Sequence, residues 1–291
     1  MAADTLSLPA SRSHRPTANR RALDIVLLLA LIALLVVMLF PVFIVIINSF
    51  KTEAEYYANG PFALPTGLNM EIIQSAWERS DYTTKLINSI EISLSVAVLA
   101  TIISMLNAFA LGIGKVRGRS VLLVMFLLAI TLPPEALAYP LYYLVKALGL
   151  YDTKISLIII TAVFHSAYGT YLMTSVLRSF NREFIEAGII DGCNKLQLLY
   201  RIIVPLNFPA LSVLFVFFFI WTWNDFFLPL IFLVSNANQT VPVALALARN
   251  ERNLVITTQS ATALLGILPC LIFFILFQRT MARGITAGSL K

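Results

Sequence analysis

Six apolar runs, near 25–48, 86–114, 120–145, 155–177, 207–234 and 260–278, constrain this chain more than any other feature. Each is long enough to cross a bilayer, which takes about 20 helical residues. A backbone in hydrocarbon must satisfy its own hydrogen bonds, and a helix does so within one segment. The runs lack the period-two alternation of barrel strands. Composition agrees, since only 12% of the 291 residues are charged, against roughly a quarter in a soluble domain. The expected fold is an all-α integral membrane protein with six transmembrane helices. Residues 25–278 form its membrane domain, flanked by tails at 1–24 and 279–291.

The first run follows Arg12, Arg15, Arg20 and Arg21, as a secretory signal would. It is about 24 residues long, against roughly 7–15 for a signal core, and no small-x-small site ends it. It therefore reads as a retained helix. Lys and Arg accumulate in short cytoplasmic loops. With the N-terminus inside, the two tails and the loops at 115–119 and 178–201 hold two-thirds of the 21 basic residues. Both termini are thus expected to be cytoplasmic. No basic cluster sits on a soluble segment, so nucleic acid is not an expected partner; membrane lipid is. Cys193 and Cys270 fall in a loop and a span, with no ligand-like histidine nearby, and imply neither disulfide nor metal site.

The longest outer segment, 51–85, carries turn signals at Gly60-Pro61, Leu64-Pro65 and Asn69. Trp77, Tyr56, Tyr57 and Tyr82 suit interfacial anchors. Pro133-Pro134 interrupts the third run near its middle, a break tolerated where a helix faces protein or a cavity. The outer loop at 235–259 holds Val241-Pro242 and the NERN stretch at 250–253.

Ionisable groups inside a span cost roughly 2.5–3.5 kcal/mol at the centre on insertion scales and often mark function. Glu135 lies beside the double proline and His165 in the middle of the fourth run. Asn224 and Asp225 lie in the outer half of the fifth. A carboxylate at Glu135 can accept from sugar hydroxyls, and Tyr139, Tyr142 and Tyr143 can stack on sugar rings. The plainer alternative for Glu135 and His165 is an interhelical hydrogen bond or ion pair. Glu135, His165 and Asp225 together also suit the proton relay of a secondary carrier, although no paired repeat of the kind such carriers show is visible. The phenylalanine-rich stretch 215–219 reads as packing or lipid-facing surface. No phosphate-binding GxxxxGK[ST] loop is present, and no GxSxG or HExxH site. Any use of ATP must come from another chain.

One polar stretch, 181–206, separates the fourth and fifth runs. Phe184, Ile185, Ile189, Leu196, Leu199 and Tyr200 give it an apolar side, and Arg182, Glu183, Glu186, Asp191 and Lys195 a charged one. Gly192 divides it into two helical pieces, and Pro205 marks the boundary before the fifth span. Such an element either rests on headgroups or docks a partner.

Glu186-Ala187-Gly188, then Asp191-Gly192, then Pro205 resemble the EAA loop of permease subunits in binding-protein-dependent ABC importers. Gly188 stands where that family usually has a second alanine, and Val204 where it has leucine. Asn48-Ser49-Phe50-Lys51, Asn88-Ser89, Pro140-Leu141-Tyr142, Trp223-Asn224-Asp225-Phe226 and Val241-Pro242-Val243 are similar to the carbohydrate branch. The ending, residues 277–291, is similar to permeases related to the smaller membrane subunit of the maltose importer. The resemblance implies coupling helices in 181–206 that meet an ATPase through Glu186, Ala187, Gly188, Asp191, Gly192 and Pro205. It implies further ATPase contacts at Gly284, Thr286, Ala287 and Gly288, and a structural or gating role for Asn224 and Asp225. It also implies a second permease subunit, two ATPase subunits holding ATP and Mg, an extracytoplasmic solute-binding protein and a place in the bacterial inner membrane. No cofactor is expected on this chain. The cargo stays open among disaccharides, oligosaccharides, uronates and a glycerol phosphate diester.

Overall fold

The computed structural model describes residues 18–114, 116–248 and 256–289, with side chains over 23–114, 116–247 and 256–279. Most of the tail 1–24, Lys115, the NERN stretch and the side chains of Gly284, Thr286, Ala287 and Gly288 lie outside the described residues. Every regular element among the described residues is helical. In order these are α1 (Ala18–Asn48), α2 (Glu53–Asn59), α3 (Met70–Arg79), α4 (Tyr82–Gly112), α5 (Arg119–Thr131), α6 (Pro134–Ala147) and α7 (Lys154–Arg178). There follow α8 (Arg182–Ile190), α9 (Lys195–Leu198), a π-turn (Leu199–Ile203) and α10 (Val204–Leu206). The chain ends with α11 (Phe208–Asn224), α12 (Phe227–Phe232), a 3₁₀ turn (Asn236–Asn238), α13 (Val241–Ala248) and α14 (Ile256–Ser289).

Four helices, α1, α4, α7 and α14, are each long and apolar enough to span a membrane, and bent pairs raise the number to as many as six. The third expected span is one such pair, because α5 and α6 meet at 97°. The cause is local. A residue before proline is pushed out of the α region. Leu132 precedes Pro133, and Pro133 precedes Pro134, so both are extended, at ψ 122 and 130. The fifth expected span, 207–234, also breaks. Asp225 turns extended and its Oδ1 accepts from Phe227 N at 3.1 Å, an Asx turn that competes with the helix. The last helix runs on past 278, so part of the expected C-terminal tail continues α14.

The 51–85 segment is more ordered than its turn signals suggest. Thr52 accepts from Glu55 N and opens α2, Gly60 at φ 79 closes it, and Asn69 caps α3. Tyr82 corrects an expectation. It is 2% exposed, and its hydroxyl donates to the Leu265 carbonyl at 2.6 Å. It locks α4 to α14, and its side chain faces protein rather than lipid headgroups.

At the centre α4 lies along α7, and α11 packs against both. Lipid gives no hydrophobic drive between helices, so close approach needs small residues. Ala97, Ala100, Ser104 and Ala108 on α4 face Ala162, Ser166, Gly169 and Thr170 on α7, all buried. Phe218 fills the joint from α11 and is fully buried, as expected for a packing residue. By contrast, every residue of α1 from Leu23 to Pro41 is exposed.

One end of the bundle is tied by buried lysines. Lys51 Nζ donates to Asn48 Oδ1 at 2.9 Å and to the Gly60 carbonyl at 3.0 Å. Lys85 Nζ bonds the Asn236 carbonyl and side chain and lies 3.5 Å from Asp81. Asn88 Nδ2 donates to the Ala237 and Gln239 carbonyls, and Ser89 Oγ accepts from Val241 N. The Asn88-Ser89 and Val241-Pro242 pairs seen in the sequence are therefore two sides of one contact. Asp152 Oδ1 accepts from Ser235 N at 3.1 Å, and the Asp152 carbonyl accepts from Asn238 Nδ2. Burial acts to raise the Asp152 carboxyl, but the hydrogen bonds from Ser235 and Asn238 outweigh it and hold the group below the usual carboxylate range.

Lys85→Met should cost about 2 kcal/mol, since it removes the charge-assisted hydrogen bonds by which the buried Lys85 ammonium ties α4 to Asn236. Limited proteolysis reads the change as faster cutting within 235–241, with Lys154→Met, which loses only the partly exposed ion pair to Glu91, as the control.

Candidate functional site

The α5–α6 break, α7 and the end of α11 border an open-sided cavity of about 430 Å³. Glu135, His165, Asn224 and Asp225 all line it. Each arrives by a separate local device. Glu135 stands in the first turn of α6, directly after the double proline, where a carboxylate suits the helix N-terminus. Asp225 is presented by the Asx turn that ends α11. Asn224 closes the last turn of α11, its Nδ2 donating to the Ile220 carbonyl at 2.8 Å.

His165 is held from three sides. Its ring stacks on Phe218 with centroids 5.5 Å apart and meets the edge of Trp221 at 5.6 Å. Nε2 lies 3.2 Å from Thr222 Oγ1. The Thr222 hydroxyl already donates to the Phe218 carbonyl at 2.8 Å, so it accepts from His165 Nε2–H. In the neutral ring this leaves Nδ1 as a bare acceptor. The interhelical hydrogen bond expected as the plainer role of His165 is therefore present, and the ring lines the cavity as well.

Tyr139 is not brought there. It is 71% exposed and meets Tyr143 edge to face, with centroids 4.8 Å apart. Thr161 is the lining residue that sequence reasoning missed. It is 2% exposed, and its hydroxyl has no hydrogen-bond partner. Its signal was present, since Thr161 precedes His165 by one helical turn and shares its face.

The 181–206 stretch lies at the opposite end of the bundle from the 235–241 loop, beyond the C-terminus of α7. Asn181 caps α8 by accepting from Glu183 N at 3.0 Å. Gly192, at φ 79, reverses the chain, and Asn194 with Gln197 forms a capping box that starts α9. Gly188 is buried where α8 crosses the next piece. A Cβ there would lie 2.5 Å from Ile202 Cδ1 and 3.0 Å from Leu198 Cδ1. Glycine in place of alanine is thus matched by the bulk of Ile202. Glu186, Ala187 and Asp191 are exposed, and Ile190 is 84% exposed. The helical piece ending at Leu206, just after Pro205, turns by 79° into α11.

An all-helical chain with broken spans, a cavity carrying a few ionisable side chains and an exposed helical knob at one end has the form of a membrane transport component. Its residues 101–286 match the family described as binding-protein-dependent transport system inner membrane component, and the chain belongs to that family. It is 30% identical over 259 residues to the inner membrane ABC transporter permease protein YcjP of Escherichia coli K12, covering 88% of this chain and 92% of that one. It is 30% identical over 258 residues to the sulfoquinovosyl glycerol transport system permease protein SmoH of Agrobacterium fabrum, covering 89% and 90%. A crystal structure of a bacterial ABC transporter that imports the acidic polysaccharide alginate contains a chain of the same fold, with TM-score 0.81 at 21% identity, covering 92% of this chain and 99% of that one. The chain is thus a multi-pass inner-membrane protein of the sugar ABC importer permease family. Permease subunits of this kind carry no ATPase site of their own.

Proposed function

We propose that this chain forms half of the translocation pathway of an ATP-driven importer for a saccharide, pairs with a second permease and couples to two ATPase subunits through residues 181–206. The observation that carries the coupling is the exposed knob itself. An apolar side chain as open as Ile190, flanked by Glu186 and Asp191 on a glycine-braced turn, suits a protein cleft better than water. The charge distribution supports a cytoplasmic position for that knob and both termini. ATP and Mg belong to the ATPases, and an extracytoplasmic binding protein delivers the cargo to the other side.

Glu186, Ala187, Asp191 and Gly192 supply the docking surface, Gly188 its close packing and Pro205 its junction with α11. Gly284, Thr286, Ala287 and Gly288 extend the ATPase contact along the end of α14. Glu135, His165, Asn224 and Asp225 line the cargo's path or its gate, with Tyr139 on the approach. Closure of the ATPases draws the knobs together, and rigid-body rotation of the helices opens the cavity to the other side. The acidic cargo of the alginate importer is not carried over at 21% identity, which supports the fold alone.

Reconstitution with the candidate partner subunits tests this. Uptake is expected to require ATP and the binding protein. Uptake that follows a proton gradient without ATP would instead favour a carrier using Glu135, His165 and Asp225.

A further inference from the structure

Charge inside the cavity is one-sided. Glu135 from α6 and Asp225 from α11 both line it, and none of the lining residues is Lys or Arg. Ionisable groups at membrane depth normally pair with one another or with an opposite charge. Among the described residues the ion pairs are Lys85–Asp81 and Lys154–Glu91, and neither reaches this cavity. The facing cationic candidate, His165, has its Nε2–H committed to Thr222 and its ring wedged between Phe218 and Trp221. Glu135 has no hydrogen bond among the described residues.

A second, independent feature points to a ligand. The Thr161 hydroxyl lines the same cavity, is buried and has no partner. A buried hydroxyl without a partner carries an uncompensated desolvation cost. His165 Nδ1 adds a free acceptor one helical turn away. Trp221 and Phe164 supply aromatic walls, and such faces attract cations as well as the apolar faces of sugar rings.

We infer that this cavity takes a saccharide bearing a protonated amine, whose charge supplies the counter-ion that Glu135 and Asp225 lack, while a sugar hydroxyl meets Thr161. This rests on the saccharide-importer reading and names its cargo class. Glu135 is exposed at the open side of the cavity and Asp225 half-buried, and an anionic sugar brings a third negative charge beside them. A uronate or phosphodiester is therefore the least favoured cargo.

The test uses the full chain in lipid nanodiscs and three β-1,4-linked disaccharides of one size, made of glucosamine, glucose or glucuronic acid. Affinity is read by tryptophan fluorescence, since Trp221 faces the cavity. The glucosamine disaccharide is expected to bind at least about tenfold tighter than the glucose one, with the glucuronate weakest. Glu135→Gln with Asp225→Asn should bring all three within about threefold of one another. Thermal unfolding of this double variant confirms that it is folded, and both changes keep side-chain size. Thr161→Val should weaken all three alike. Glucuronate binding as tight as glucose, a ranking that survives the double variant, or no binding of the glucosamine disaccharide overturns the inference. No ATPase enters this titration, whereas the importer reading stands or falls on ATP-dependent uptake, so the two fail separately.

Discussion

Gly169→Leu is expected to abolish recovery of folded permease, with extracted protein running as aggregate in size-exclusion chromatography. The reason is the contact between α4 and α7. A Cβ at Gly169 collides with the Ser104 hydroxyl, and it lies 2.7 Å from Ser104 Cβ and 2.8 Å from the Phe218 ring. None of the three can easily yield. Ser104 is fully buried and its hydroxyl donates to the Ala100 carbonyl at 2.6 Å. Phe218 is fully buried, and His165 stacks on it. Overpacking a close-packed interior typically costs about 1–3 kcal/mol even for small additions, and leucine adds four carbons where one already clashes. Gly169→Ala separates packing from helix propensity. Alanine is the better helix former by roughly 1 kcal/mol, so a net loss of stability isolates the steric term. Gly67→Ala is the control, since its Cβ meets nothing within 4 Å. Because Phe218 also holds His165, a partly folded Gly169→Ala protein should bind cavity ligands more weakly.

What the sequence disclosed follows from the range of the forces involved. Long apolar runs are a local property, and α4, α7 and α14 lie where hydropathy put them. The α5–α6 break was equally legible, because proline acts on its own neighbour. The break at Asp225-Phe226 was not. No proline stands between them, and the Asx turn prevails over the helix only once Asp225 faces a cavity built by α6 and α7. The helices α2 and α3 were hidden because each is short, although Thr52 and Asn69 were available as caps. Glu135 and His165, picked out for polarity, and Asn224 and Asp225, picked out for polarity and by the resemblance, converge on the cavity. Polarity in a span is costly, so it marks cavity walls well. Tyr139 lies outside the lining, and a tyrosine is cheap at many depths, so its position in the sequence says little. Lys51 and Lys85 count as ordinary loop lysines in a sequence. Only the folded structure shows them buried, Lys51 against the nearby Gly60 carbonyl and Lys85 against the distant Asn236.

The second large effect concerns the knob at 181–206. Gly192→Pro combined with Glu186→Lys should cut ATP-dependent uptake by roughly a hundredfold, about 2.7 kcal/mol, while leaving ligand binding in the cavity intact. Gly192 sits at φ 79, and proline is fixed near −65°. Its N–H also donates to the Ile189 carbonyl at 3.0 Å, a bond proline cannot make. The adjoining bond from Cys193 N to the Gly188 carbonyl, at 2.9 Å, depends on the same reversal. Proline therefore swings α8 away from the piece that packs on Gly188, and Ile190 moves with it. Glu186→Lys reverses an exposed charge on the same surface at little cost to the fold. The cavity meets α7 at its middle, from Thr161 to Tyr168, and α11 at its far end, about three helical turns from the knob. Damage confined to the knob should thus leave the fluorescence titration unchanged. Co-purification of ATPase subunits reads the loss directly. If ATPase recruitment and uptake both persist in the double variant, residues 181–206 are not the docking element, and Ile190 is left as an apolar anchor resting on lipid headgroups.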